Sequence, residues 1–281
     1  MSSRLKNSSG KSFALGLSGF RNQFRTYVRS VFKRVFHQLL DGLGIRRLRE
    51  HSFFATLLAR PAAIADFGAH RGEFFAAFEA EYRDSRALLI EADPAMAESL
   101  KQTFGNEADV VHAAIVAKGK QGRVTFTRSI EPESSSVFKE WSAAHGIADQ
   151  VSVPTLDFSE AVNRLGDRID LIKMDVEGAE IGILESASAS DLTSCVQLTV
   201  EFHDKRAPFT RRDVDRVCRR MRAAGYGVRN RNGKLAKVDG VLFVNLRSVP
   251  VAKRIALCCR VAIANALFIV PRTIFGSGYS S

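Results

Sequence analysis

Acidic residues stand at the C-terminal ends of three apolar runs. Asp66, Glu91 and Asp175 each close a short stretch rich in Ala, Ile and Leu, which predicts a buried strand. Open α/β sheets bind their ligands at the carboxyl ends of their strands, so we expect these three carboxylates to line one cleft. Carboxylates in such a cleft accept hydrogen bonds from hydroxyl groups or bind cations. The sequence therefore predicts a polar or cationic ligand at this edge.

A turn with two glycines follows Asp66. Gly68 and Gly72, spaced G-x-x-x-G, allow a sharp turn and a close approach of ligand to backbone. The spacing differs from the dinucleotide fingerprint G-x-G-x-x-G, and the Asp66 carboxylate opposes a pyrophosphate at the following helix. A ligand with a cationic amine and no phosphate fits better, and S-adenosylmethionine is such a ligand. Asp and Gly are also common in ordinary turns, so the turn alone leaves that alternative open.

Glu91 and His112 end the next two predicted strands. An acidic residue at the end of the second strand of a doubly wound fold binds the ribose hydroxyls, and we predict that role for Glu91 rather than a helix N-cap. The end of the third strand reaches the adenine in such folds. His112 is therefore a candidate to stack on the adenine or to hydrogen-bond with it, although simple packing is the alternative.

The elements between these residues predict a Rossmann-like, doubly wound α/β fold with a mostly parallel sheet and a C-terminal antiparallel hairpin. Short apolar or alternating runs predict strands, and three- to four-residue periodicity predicts helices. The dipeptide Asn232-Gly233 predicts the hairpin turn. Strands are predicted at 62–66, 87–91, 108–112, 123–127, 151–157, 169–174, 195–201, 226–228 and 241–244, and helices at 74–78, 95–104, 158–165, 179–184 and 211–224.

The second acidic stretch suggests the residues for proton chemistry. If a methyl donor such as S-adenosylmethionine reacts with a hydroxyl group, the reaction requires in-line positioning of the oxygen and removal of its proton. His203 is a candidate base because the unperturbed imidazole pKa lies near neutrality, and hydrogen bonding without any chemistry is its alternative role. Asp175 is a second candidate, as base or as the group that orients the hydroxyl. A third possibility is a magnesium ion held by Asp175 and Glu201 that lowers the pKa of the hydroxyl.

The segment 170–180 contains K-x-D-x-E-G-x-E, and it resembles the hallmark of the FkbM-type methyltransferase family. The D-F-G-A-H-R-G-E-F stretch at 66–74, the serines at 134–136 and V-E-F-H at 200–203 fall where that family has them, and the resemblance covers residues 62–246. It implies an S-adenosylmethionine-dependent O-methyltransferase acting on a hydroxyl of a sugar, glycolipid or secondary metabolite. By position, the resemblance places the cofactor and the methyl-transfer end at six residues: Asp66, Gly68, Ala69, Gly72, Glu91 and Asp175.

Both ends of the chain are basic. Residues 1–50 hold 11 Lys/Arg against 2 Asp/Glu, and residues 247–281 hold 5 Lys/Arg and no acid, within a net charge of +11. The intervening residues therefore carry a net charge of −3, which argues against nucleic acid binding by this part of the chain. We predict a helical arm at 1–60, a methyltransferase domain at 61–246 and a tail at 247–281.

The arm is basic and amphipathic between residues 20 and 40, and the tail is apolar between 255 and 270. The two segments are predicted to lie on an anionic membrane surface, and packing on the domain is the alternative. A transit peptide is a further alternative for the arm. The four cysteines form no C-x-x-C pair, so they indicate neither a zinc site nor a disulfide framework and favour a reducing compartment. Together with the basic arm and tail, this predicts a cytoplasmic protein that is peripheral on the inner face of the membrane.

Two other functions compete with methyl transfer. One is a catalytically inactive, membrane-associated binding protein on the same fold, which the presence of Asp66, Gly68, Glu91 and Asp175 disfavours. The other is a nicotinamide oxidoreductase, which the missing G-x-G-x-x-G disfavours.

Overall fold

The computed structural model describes residue 35 and residues 38–120, 122–203, 209–230, 240–251 and 253–263. The chain forms two compact units, residues 1–43 with residue 281, and residues 44–280. In the first unit residue 35 and residues 38–42 are helical, and the other residues of the predicted arm before residue 38 lie outside the described residues. The second unit contains the elements named below.

The strands are numbered in chain order. They are β1 (Ile45–Leu48), β2 (His51–Phe54), β3 (Ala63–Phe67), β4 (Arg86–Glu91), β5 (Ala108–His112), β6 (Ala114–Val116), β7 (Arg123–Ser129), β8 (Ile147–Asp157), β9 (Leu171–Met174), β10 (Gln197–Val200), β11 (Tyr226–Asn230) and β12 (Val241–Asn245). The helices are α1 (Glu73–Glu81), α2 (Pro94–Phe104), α3 (Lys139–Ala143), α4 (Phe158–Leu165), α5 (Glu180–Ser186), α6 (Ala189–Ser194) and α7 (Arg211–Ala223).

A seven-stranded sheet in the order β11-β12-β10-β9-β3-β4-β5 forms the centre of the second unit. The five strands from β10 to β5 are parallel, and β12 pairs antiparallel with both of its neighbours. This confirms the doubly wound, mostly parallel sheet with its antiparallel hairpin. The predicted turn at residues 232–233 lies outside the described residues. The strand order reverses between β3 and β9, which is where such sheets bind ligands.

Helices cover both faces of this sheet because successive strand residues point to opposite sides. On β3, Ala65 and Phe67 pack in a core that includes residues of α4, α5 and α7. Ile64, which precedes them, points to the other side and packs in a second core with Phe75 and Phe78 of α1. Both faces of β3 are therefore buried in apolar cores, which fix the position of its carboxyl end.

A smaller sheet, in the order β6-β8-β7, follows the third strand of the main sheet. β8 is longer than the predicted strand at 151–157, and it pairs antiparallel with β7 and parallel with β6. The segment 130–138 connects β7 to α3, and it contains the serines at 134–136. Thr127 on β7 exchanges two backbone hydrogen bonds with Ser136, of 2.8 and 3.0 Å, which fixes this loop to the small sheet.

A hairpin of β1 and β2 precedes the main sheet, and it corrects the prediction of a helical arm up to residue 60. Phe53 and Phe54 are fully buried. The Gln197 side chain on β10 accepts from the Phe54 N–H at 2.7 Å and donates to the Phe54 carbonyl at 3.1 Å. The hairpin therefore belongs to the second unit and is anchored on the sheet.

Residues 253–263 are helical and contain the first part of the apolar stretch at 255–270, whose remainder lies outside the described residues. Ile255 is 76% exposed on this helix, whereas Leu257 and Val261 are buried. Within the part of the chain that the structure describes, we find no helix with the length and apolarity needed to span a bilayer.

Candidate active site

A cleft of about 420 Å³ lies where β3, β4, β9 and β10 end. This volume is in the range of small-molecule sites. Of the residues predicted from sequence, Gly68, Ala69, Glu91, Asp175 and His203 line it. Asp66, Gly72 and His112 do not, although each supports a lining residue or a neighbouring helix, as described below.

Gly68 begins the turn after β3, and its backbone is left-handed, with φ of 76°. A Cβ atom there would lie 1.9 Å from the carbonyl oxygen of Asp175, which follows β9. The N–H groups of Gly68 and Ala69 donate to the Ile90 carbonyl at 2.9 and 3.1 Å. Glycine is thus required because two strand ends meet here, and the turn leaves its backbone facing the cleft.

Gly72 allows two helices to pack, and its predicted role in cofactor binding stays a prediction. It is also left-handed, with φ of 76°, and it precedes α1. A Cβ atom there would lie 2.4 Å from Phe104 Cε2 and 2.9 Å from Leu100 Cδ2, both on α2. The second glycine therefore allows α1 and α2 to pack closely.

Asp66 is completely buried and faces a lysine. The register of β3 and β9 places Asp66 opposite Lys173, and Lys173 Nζ lies 3.0 Å from Asp66 Oδ1. Lys173 Nζ also donates to the Gly68 carbonyl at 2.6 Å. Burial lowers the pKa of Lys173, but Asp66 and Asp175 outweigh this and raise it, so the ammonium stays charged. Asp66 acts on the turn through Lys173, which does line the cleft.

Glu91 is buried at the end of β4, with its carboxylate at the cleft. Its two oxygens accept hydrogen bonds from the N–H groups of His70, at 2.7 Å, and Asp93, at 2.8 Å. Burial raises the pKa of Glu91, and these two hydrogen bonds oppose the rise. The carboxylate is thereby fixed in one orientation and keeps lone pairs for further donors.

His112 lies beside the cleft rather than in it. Its Nε2 atom is 3.1 Å from the carbonyl oxygen of Ala92, which is a lining residue. His112 therefore reaches the cleft through Ala92, and its contact with the adenine stays a prediction. Apolar side chains form the wall on this side of the cleft: Ala92, Met96, Ala113, Ile115, Phe126 and Val137.

The other end of the cleft holds Asp175 and His203, as the sequence predicts. His203 Nε2 lies 3.7 Å from Asp175 Oδ1 and 3.3 Å from Glu177 Oε2. On the opposite side of the ring, Nδ1 lies 2.9 Å from Glu180 Oε1. The Trp141 ring of α3 packs edge-on against the imidazole, with centroids 5.0 Å apart.

Sequence reasoning missed four residues of this cluster. Glu177 and Glu180 belong to K-x-D-x-E-G-x-E, so the motif contained them although neither received a role. His51 comes from the unpredicted hairpin, and it lines the cleft. Trp141 gave no signal in the sequence, because its contact depends on where the small sheet packs.

The charges of the cluster shift its acid–base properties. Burial lowers the pKa of His203, but Glu180, Glu177 and Asp175 outweigh it and raise the pKa to about 10. Burial raises the pKa of Glu177 to about 8, although His203 opposes that rise. Burial also raises the pKa of Asp175, but Lys173 and His203 bring it below its usual value. At neutral pH the imidazole is therefore protonated, and it is a poor base in this state.

The predicted magnesium ion finds little support in this arrangement. His51, Asp175 and Glu201 bring polar atoms within 4.8 Å of one another. However, Lys173 lies 4.0 Å from Asp175 Oδ2, and the protonated His203 lies on the other oxygen of the same carboxylate. These protein cations already neutralise Asp175, and Mg²⁺ prefers sites made of oxygen ligands. We derive no step through a metal.

The family model described as "Methyltransferase FkbM domain" matches residues 66–228, more than half of the chain. The chain belongs to this family. The FkbM assignment agrees with the resemblance noted in the sequence, and it makes the chain an S-adenosylmethionine-dependent methyltransferase. A search of curated proteins finds no match.

Solved structures with a similar fold include several methyltransferases. Precorrin-6y C5,15-methyltransferase from Geobacter metallireducens is 11% identical, with 65% of this chain and 78% of that chain covered and a TM-score of 0.34. TrmK from M. capricolum, in complex with S-adenosyl-homocysteine, is 8% identical over 68% of this chain and 63% of that chain, with a TM-score of 0.37. An O-methyltransferase family protein from Burkholderia thailandensis is 10% identical over 78% and 58%, with a TM-score of 0.35.

Proposed function

We propose that this FkbM-family protein transfers the methyl group of S-adenosylmethionine to a hydroxyl of a sugar, glycolipid or secondary metabolite. The observation that carries the proposal is the division of the cleft. One end has a ribose-binding type of carboxylate, Glu91, and the backbone of Gly68, which lines the cleft. The other end has a cluster of a histidine and carboxylates suited to holding hydroxyl groups.

The residues present fit the cofactor. The Glu91 carboxylate is oriented by two backbone N–H groups and accepts from the ribose hydroxyls. The turn at Gly68 offers main-chain groups for the methionine end, and His70 Nε2 is buried there without a hydrogen-bond partner among the described residues. The apolar wall that includes Phe126 takes the adenine. When bound, S-adenosylmethionine supplies an electrophilic methyl carbon on a sulfonium.

The acceptor end also contains an unsatisfied polar atom. Asp175 Oδ1 is buried and receives no hydrogen bond from any residue that the structure describes. A hydroxyl group of the acceptor donates to this oxygen, which orients the hydroxyl on the axis of displacement. The imidazolium of His203 lies beside Asp175 and keeps that carboxylate ionised. Asp175 is thus the orienting group, and His203 supports it electrostatically.

The test begins with the cofactor. Full-length protein is titrated with S-adenosylmethionine and, separately, with NAD by calorimetry. We expect the protein to bind S-adenosylmethionine and not NAD. Glu91→Ala is expected to abolish this binding, because it removes the carboxylate that accepts from the ribose hydroxyls and that holds the His70 N–H. The exposed residue Glu98 on α2 provides a matched control, since Glu98→Ala is expected to bind normally. Binding of NAD but not of the methyl donor would refute the proposal.

The acceptor is identified separately. Methylated glycans and lipids of wild-type and deletion strains are compared by mass spectrometry, and a hydroxyl that loses its methyl group in the deletion strain is the expected result. An unchanged profile, together with the absence of S-adenosylmethionine binding, would favour an inactive binding protein on this fold.

We further propose that the basic arm and the basic tail hold the enzyme at an anionic membrane. The helix at 253–263 exposes Ile255 and Ile263, at 76% and 49%, close to Lys253 and Arg254. Apolar side chains next to basic ones suit an anionic bilayer surface. Full-length protein is expected to sediment with phosphatidylglycerol vesicles and to remain in solution with phosphatidylcholine vesicles. Sedimentation no stronger than that of Ile255→Asp with Ile263→Asp would contradict the proposal.

A further inference from the structure

Glu177 has an unusual backbone conformation at the edge of the cleft. Its φ is 52°, and Gly178 follows with φ of 108°. A left-handed conformation is unfavourable for glutamate, whereas glycine adopts it readily. Strain of this kind persists where the surrounding structure imposes it, often at functional sites. Among the described residues, Arg49, His70 and Asp84 share this left-handed conformation, and the first two also line the cleft.

The turn at Glu177 is held from both sides. Ser136 Oγ donates to the Glu177 carbonyl at 2.6 Å and itself accepts from the Phe138 N–H at 3.0 Å. On the other side, the buried Glu180 carboxylate accepts from the N–H groups of Val176 and Gly178, both at 3.1 Å. The loop of the small sheet and the start of α5 therefore impose the conformation jointly.

This conformation directs the Glu177 side chain into the acceptor end of the cleft. The side chain is 21% exposed, and its Oε2 atom lies 3.3 Å from His203 Nε2. Asp175, which orients the hydroxyl in the proposed reaction, lies 3.7 Å from the same Nε2 atom. Glu177 and Asp175 therefore approach one imidazole edge and face the same small volume.

The neighbours of Glu177 also determine which group is free to accept a proton. The charged groups that face it are His203, Asp175, Glu180 and Glu201. His203 already carries a proton at neutral pH, and the pKa of Asp175 is lowered. Burial and the three neighbouring carboxylates raise the pKa of Glu177 to about 8, against the opposing effect of His203, so the ionised Glu177 is a stronger base than an ordinary carboxylate.

We propose that Glu177 is the general base that takes the proton of the acceptor hydroxyl. The oxygen forms its bond to the methyl carbon while the carbon–sulfur bond breaks, and the electron pair of that bond stays on sulfur as a neutral thioether. In the bound state the hydroxyl hydrogen is shared between Asp175 Oδ1 and Glu177, which face the same volume. The proton then moves to a carboxylate oxygen of Glu177, and the electrons of the O–H bond remain on the oxygen. The proton later leaves to solvent through the open side of the cleft. This inference rests on the proposed O-methyl transfer.

The first measurement needs no acceptor. Protein labelled with ¹³C at the glutamate carboxyl groups is titrated by NMR in the presence of saturating S-adenosylhomocysteine. We expect one carboxyl signal to titrate above pH 6.5, to be absent in Glu177→Gln and to persist in Glu140→Gln, which removes an exposed carboxylate on α3. A Glu177 signal that titrates at pH 4–5 would overturn the inference.

The second measurement is turnover. Single-turnover methyl transfer from tritiated S-adenosylmethionine is measured with a mixture of methyl glycosides as acceptors. Glu177→Gln is expected to slow transfer at least 100-fold while its affinity for S-adenosylmethionine stays within threefold, and Glu177→Asp is expected to retain part of the rate with a shifted pH profile. Transfer by Glu177→Gln within threefold of wild type would exclude the role. Failure of the wild-type protein to bind S-adenosylmethionine would instead refute the proposed function.

Discussion

The close approach of the β3 turn to the end of β9 gives a quantitative prediction for Gly68→Ala. The new methyl group would lie 1.9 Å from the Asp175 carbonyl oxygen, well inside contact distance. The left-handed backbone alone costs about 1–2 kcal/mol for a residue with a Cβ atom. Overpacking against a fixed backbone adds about 1–3 kcal/mol. The free energy of unfolding should therefore fall by roughly 2–5 kcal/mol.

A matched control separates the two contributions. Gly119 is also left-handed, with φ of 87°, but a Cβ atom there has no neighbour within 4 Å. Gly119→Ala should therefore show only the conformational cost, and Gly68→Ala should be less stable by about a further 1–3 kcal/mol in urea denaturation. This corresponds to a melting temperature lower by roughly 2–12 °C for a domain of this size.

Gly68→Ala should lose function as well as stability, whereas Gly119→Ala should keep its function. Relief of the contact displaces the Asp175 carbonyl, and a displacement of about 1 Å at a reacting centre can cost about 100-fold in rate. S-adenosylmethionine binding is measured by calorimetry on both variants at a temperature where both are folded. The reasoning is refuted if Gly68→Ala is as stable as Gly119→Ala and binds the cofactor like wild type.

Three further predictions concern buried polar groups. Gln197→Leu leaves the N–H and carbonyl of Phe54 without partners and should lower the free energy of unfolding by about 2–4 kcal/mol in urea, and a loss below 1 kcal/mol would contradict the anchoring of the hairpin. Lys173→Met leaves the Asp66 carboxyl buried without its cation and should lower the free energy of unfolding by about 3–5 kcal/mol. Adding Asp66→Asn to the same chain should restore part of this loss. Equal stability of the single and the double variant would argue against the ion pair. The pKa of His203 is raised to about 10, so its stabilising contribution is complete below the unfolded pKa and is lost as pH rises through 10. The stability difference between wild type and His203→Gln should therefore shrink between pH 7 and 10, and a constant difference would contradict the shift.

Much of the fold was predictable because the strand ends are marked by composition. Apolar runs that stop at Asp66, Glu91 and Asp175 located three adjacent strands of the sheet and one edge of the cleft. The bounds of α4, Phe158–Leu165, agree with the predicted helix, since a capping box at Asp157 fixes its start. These features depend on local sequence, which is why they could be derived without the structure.

Sequence reasoning is incomplete where a residue's role depends on a partner distant in sequence. The strand position of Asp66 indicates a cofactor-binding residue, and only the register of two parallel strands shows that Lys173 lies against it. The requirement for glycine at Gly72 comes from α2, which no turn pattern could indicate. The unperturbed imidazole pKa makes His203 a candidate base, but three neighbouring carboxylates raise this pKa and keep the ring protonated at neutral pH. Register, packing and summed charge are properties of the folded chain.

The hydrogen bond from Ser136 to the Glu177 carbonyl links the loop of the small sheet to the edge of the cleft. In the proposed reaction, Gly68 and Glu91 at the ends of β3 and β4 serve the cofactor. Ser136 and Trp141 bear instead on the acceptor end, whereas Phe126 of the same small sheet belongs to the apolar wall proposed for the adenine. In the proposed reaction, substitutions at Ser136 and Trp141 are therefore expected to alter which hydroxyl is accepted while the cofactor site stays intact.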